Sequence, residues 1–93
     1  MRIIGTIEHP QLKISIFKMN ERISVKFENA RYEQTFKMGS DERFQTPESI
    51  ERWVDEGLLE QVMLNFRAMH AAAVAATRRA FPEPDALLFD EII

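Results

Sequence analysis

Phe17, Arg22 and Lys37 are the side chains of this sequence best suited to binding, an aromatic plate and two cations. Brought together, they could stack a base and neutralise phosphates, or seat an acidic peptide with an apolar body. Catalysis has fewer tools. With no cysteine in the chain, thiolate chemistry, disulfides and Cys-based zinc sites are excluded. His9 stands beside a turn proline and His70 within a helical pattern. Neither has a second His or a carboxylate at ligand spacing, so no metal site is expected. Asp55 and Glu56, like Asp90 and Glu91, are adjacent rather than a turn apart, and so do not face each other as a catalytic pair would. Ser15, Ser24, Ser40 and Ser49 have no activating arrangement around them. Gly5, Gly39 and Gly57 stand singly, which leaves no loop to cradle a phosphate. The expectation is a non-catalytic protein without a cofactor.

Whatever positions those three side chains must fit in 93 residues, of which 45% are hydrophobic and 29% charged. That is enough for one small core, and a domain of this size often gains stability from a second copy, so a homodimer is expected. MRIIGTIEHP lacks the apolar stretch of a secretion signal, and no run approaches the ~18 apolar residues of a membrane span. A cytoplasmic protein that does not enter the membrane is expected. The net charge of −3 is unevenly placed: residues 1–38 hold seven Lys or Arg against four acids, and the rest hold five against eleven. This asymmetry is either ordinary scatter or a basic sheet beside an acidic helical face and tail, and the spatial arrangement decides between them.

Over residues 1–38 the apolar residues recur at every second position and Ile, Val and Phe are abundant, as in half-buried antiparallel strands. Four strands are predicted near 2–8, 12–19, 22–28 and 31–38, with two-residue turns at Asn20-Glu21 and Asn29-Ala30. Those turns define a register. Ile14, Ile16, Lys18, Val25, Phe27, Ile23, Tyr32, Gln34 and Phe36 fall on one face, nearly all of it apolar. On the other, Phe17 faces Ser24, Met19 faces Arg22, Ser24 faces Thr35 and Arg22 faces Lys37. The last pair opposes like charges beside an exposed aromatic, a cost the domain's own core does not explain. Phe17, Met19, Arg22, Ser24, Thr35 and Lys37 are therefore the predicted binding face.

Thr46-Pro47-Glu48 is a helix start, with an N-cap hydroxyl, proline at the first helical position and then an acid. The apolar stripe of Ile50, Trp53 and Val54 is offset by about 140° from that of Leu58, Leu59, Val62, Phe66 and Met69. One straight helix cannot bury both stripes. A short helix over 47–56 and a long one over 58–80 are predicted, with the break at Gly57. Ala68, Ala72 and Ala75 gather opposite Phe66, and there two helices related by a two-fold axis could approach closely. Pro82 and Pro84 end the helical segment. Residues 82–93 are read as an acidic tail carrying Leu87, Leu88, Phe89 and Ile92, too apolar to be left free in water, and expected to fold back on the domain or on a dimer mate, or else to dock in a partner's groove or compete for the basic corner. The fold class is α+β: a four-stranded antiparallel β-meander followed by a short and a long helix, ββββα, in one domain over 1–81 with its sheet in 1–38.

This order, with a helix opening at Thr46-Pro47-Glu48-Ser49-Ile50-Glu51-Arg52-Trp53, resembles the single-strand-binding domains of the positive-cofactor, or Whirly-like, class over roughly residues 1–60. The resemblance implies strands that curve over single-stranded DNA or RNA and helices that pair into a dimer. On that reading Phe17 would stack on a base, Arg22 and Lys37 would neutralise phosphates, and Ser24 and Thr35 would hydrogen-bond the strand. The residues suit a protein partner equally well, bound through the sheet face or through the tail, and a small interaction module is the leading expectation.

Overall fold

The computed structural model describes residues 1–82. Four strands, β1 (Arg2–Ile7), β2 (Lys13–Met19), β3 (Arg22–Glu28) and β4 (Glu33–Gly39), form one antiparallel sheet in the order β1-β2-β3-β4. A 3-10 turn at Glu42–Phe44 leads into α1 (Pro47–Trp53) and α2 (Glu56–Ala80). The expected α+β meander followed by a short and a long helix is the fold.

Alternation dictates the two faces of the sheet. Ile14, Ile16, Ile23, Val25 and Phe27 are all at most 1% exposed and meet Ile50 and Val54 of the α1 segment and Val62 and Phe66 of α2. Edge-to-face rings extend this core: Phe27 against Phe36 at 5.7 Å, Phe36 against Trp53 at 5.3 Å and Phe44 against Trp53 at 6.1 Å. Gln34, polar on the inner face, is satisfied by α2. Its Nε2 donates to the Val62 carbonyl at 2.9 Å, and its Oε1 accepts from Asn65 Nδ2 at 3.2 Å.

The β2–β3 hairpin has the expected register, from Lys13 opposite Glu28 to Met19 opposite Arg22, with Asn20 at φ +58° in the tight turn. The β3–β4 hairpin differs. Lys37 lies opposite Ser24, Thr35 opposite Lys26 and Gln34 opposite Phe27, a shift of two residues from the predicted pairing. The cause is Asn29. Its Oδ1 accepts from the Arg31 and Tyr32 amides at 2.9 and 2.8 Å, and its own amide donates to the Tyr32 carbonyl at 3.0 Å. The side chain acts as the first member of the turn rather than taking a positive φ inside it, which moves the turn centre to Ala30-Arg31.

The helical break also moves. Asp55 Oδ1 accepts from the Leu58 amide at 2.8 Å and caps α2, so the chain bends at Val54-Asp55 and Gly57 lies within the first turn of α2. The bend turns both offset apolar stripes onto the same side of the sheet.

A candidate binding corner on the open sheet face

Both helices pack on one side of the sheet, which leaves the other side open. Near the β2–β3 turn, that open side holds a concavity of about 360 Å³ lined by Met1, Phe17, Met19, Arg22, Ser24 and Lys37, with Ile23 and Gly39 at its floor and edge. Five of the six predicted binding residues are brought together here.

Thr35 is the exception, opposite Lys26 and away from the concavity. The two-residue shift also removes two expected pairs, Ser24 with Thr35 and Arg22 with Lys37. Lys37 instead faces Ser24, and Met38 is the extra residue of a bulge between the Ser24–Lys37 and Ile23–Gly39 pairs. Arg22 and Lys37 still converge, because a shift of two leaves every side chain on its own face.

Met1 and Ile3 were missed in the sequence. Ile3 lies opposite Phe17, whereas Gly5 lies opposite Ile16, so Ile4 is the additional residue of a bulge in β1. Regular alternation from Gly5 and Ile7 would turn Ile3 toward the core. The bulge instead sends Ile4 inward, where it packs against the core, and leaves Ile3 outside. Met1, Ile3 and Met19 are 79%, 54% and 50% exposed, an apolar cluster around the half-buried Phe17.

Charge borders this cluster on one side. Lys26 Nζ lies 5.2 Å from the Phe17 ring centroid, a cation–π contact, and 3.4 Å from Glu28 Oε1. Asp41, beyond Gly39, is bound to Arg43 at 2.7 Å, and this hydrogen bond pushes its carboxyl down to about 2 while raising the Arg43 guanidinium. The pair's small contribution is therefore complete above the ordinary carboxylate value of 3.8 and is lost as pH falls toward 2. Among the described residues no acid lines the concavity, so Arg22 and Lys37 give it a positive rim.

The remaining candidates have other placements. His9 Nδ1 accepts from the Gln11 and Leu12 amides at 3.1 and 3.2 Å and shapes the β1–β2 connection. His70 Nδ1 lies 3.2 Å from the Tyr32 hydroxyl, at the boundary between α2 and the sheet. Among the described residues, no three His, Asp or Glu are grouped to hold a metal ion, and no helix is long and apolar enough to cross a membrane. Ala68, Ala72 and Ala75 are exposed on α2. Leu87, Leu88, Phe89 and Ile92 lie outside the described residues. Comparisons of the chain with protein-family models, with curated proteins and with solved structures found no match.

Proposed function

We propose that the protein is a small non-catalytic interaction module whose open sheet face docks a protein partner. The Phe17 corner would take a short apolar segment that carries acidic residues. One observation supports this reading above the others: Met1, Ile3 and Met19 stand exposed around Phe17, with Arg22 and Lys37 at the rim and no acid lining it among the described residues. Clustered exposed apolar side chains gain from burial by a partner, and two cations select for negative charge in what covers them.

A single-stranded nucleic acid is the second reading, favoured by the cations beside an aromatic ring and by the Whirly-like layout. Stacking needs an open ring face, however, and Lys26 already lies over Phe17. Fluorescence anisotropy with a labelled acidic, leucine-rich peptide of about ten residues, and separately with labelled oligo(dT), distinguishes the two. The peptide is expected to bind and to lose about tenfold or more in affinity on Phe17→Ala and on Arg22→Glu, while oligo(dT) fails to bind at low salt. Peptide binding unchanged in both variants would remove the corner from consideration. Binding of oligo(dT) alone would transfer the site to nucleic acid.

The module is proposed to be a homodimer. Leu64, 47% exposed, shares the side of α2 turned from the sheet with Ala68, Ala72 and Ala75, and small residues there let a second helix approach. Sedimentation is expected to give a dimer for the native chain and a monomer for Ala72→Glu. A monomeric native chain would refute this part.

A further inference from the structure

At the margin of the sheet, β4 has a strand on one side only. β3 pairs with it there, and among the described residues no backbone group bonds its outer side. The Asn29 amide donates to the Tyr32 carbonyl at 3.0 Å, so Asn29–Tyr32 is a hydrogen-bonded pair of the ladder. Alternation then makes Glu28–Glu33, Lys26–Thr35 and Ser24–Lys37 the non-hydrogen-bonded pairs, and the amides and carbonyls of Glu33, Thr35 and Lys37 point away from β3 as a template for another strand. The opposite margin is less suited. β1 is broken by the bulge at Ile4, whereas β4 is regular from Glu33 to Lys37 and bulges only at Met38.

Charge along this edge is lopsided. Glu33 lies opposite Glu28, and of these two like charges only Glu28 has a cation, Lys26, within ion-pair distance. Four residues on, Lys37 shares the rim of the Phe17 concavity with Arg22 and has no ion pair among the described residues. Glu33, Thr35 and Lys37 are all exposed. One end of the edge thus carries surplus negative charge and the other surplus positive charge, which an antiparallel strand of the same sequence cancels at both ends.

We propose that β4 pairs antiparallel with β4 of a second copy of this chain about a two-fold axis at Thr35, with Glu33 of each copy opposite Lys37 of the other. The register is specific. Sliding the mate by two residues sets Glu33 opposite Thr35 or Gly39 instead, and sliding it by one misaligns the outward backbone groups. The two-fold axis stands perpendicular to the sheet, so the joined strands form one continuous sheet with the helices of both copies on one side and both Phe17 corners on the other. This contact leaves free the side of α2 turned from the sheet. A pairing of five residues buries less than the ~1,200 Å² of a stable interface, so it forms in concentrated protein and leaves the dilute state to the α2 contact.

The full chain carrying Ala72→Glu tests this with the α2 contact removed, and the sequence holds no cysteine to interfere with an introduced one. In the proposed register Thr35 faces its own copy at a Cα separation of about 5.5 Å, whereas the two Lys37 positions stand about 14 Å apart. Under mild oxidation at about 1 mM chain, Thr35→Cys is expected to form an intermolecular disulfide at least tenfold faster than Lys37→Cys. Adding Glu33→Lys to Thr35→Cys is expected to remove that advantage, although it brings the net charge closer to zero and so favours chance encounters. Adding Lys37→Glu as well is expected to restore it, because the swapped charges again oppose each other. Equal rates for the two cysteine variants, or no recovery in the charge swap, would overturn the proposal. Slowed exchange of the Thr35 amide on adding the acidic peptide, with no such disulfide, would instead give the edge to a partner's strand. Disulfide trapping needs no ligand at Phe17, so this inference and the docking reading fail independently.

Discussion

Phe66→Ala is expected to lower stability by about 3 to 5 kcal/mol, the usual cost of emptying a phenylalanine site in a close-packed core. Phe66 is fully buried and lies in one cluster with Val62 of its own helix, Ile50 of α1 and the inner strand residues. Removing its ring withdraws the main anchor of α2 at mid-length, where the helix has little room to collapse onto the strands. A domain this small has a total stability of about 5 to 10 kcal/mol, and each kcal/mol moves its melting point by about 4 to 8 °C. Circular dichroism should therefore record a melting temperature about 15 to 30 °C lower. A fall of less than 5 °C would mean that α2 does not depend on the sheet for its stability.

Gly39→Val is expected to cost about 2 kcal/mol, with Gly39→Asn costing distinctly less. Gly39 takes φ +67°, a left-handed conformation that a β-branched residue adopts at high cost and that asparagine tolerates. A Cβ built there meets nothing within 4 Å, so the penalty is conformational and owes nothing to crowding. The contrast between the two substitutions in a denaturant titration is the diagnostic. Equal costs would show that the backbone at β4's end relaxes to negative φ. Because Gly39 also edges the Phe17 concavity, the valine variant should weaken peptide capture there as Lys37 shifts with the strand end.

The β2–β3 pairing was legible to the residue, because Asn20 at the turn and strict alternation on both strands agree on one register. The β3–β4 pairing was not. Side-chain period is two, so a slip of two residues leaves Phe27, Gln34, Phe36, Lys37 and Thr35 on the faces they had, and segregation of apolar from polar cannot tell the registers apart. What decided between them was the Asn29 side chain accepting two backbone amides, a choice of turn position that its residue type permits without dictating. The break between the helices shows the same division. The offset of two apolar stripes demanded a bend, but a capping carboxylate at Asp55 set its place rather than the glycine two residues later.

By itself, the order of residues determined which side chains share a face, how many strands and helices form, that the helical segment must bend, and that Phe17, Met19, Arg22, Ser24 and Lys37 belong to the open side. Each of these is a local periodicity, written in consecutive residues. Tertiary structure alone decided that Met1 and Ile3 join Phe17 and that Thr35 leaves it. These outcomes depend on bulges and pairings between segments distant in the chain, where one inserted residue reverses a side chain's direction and a shift of two changes its neighbour without changing its face.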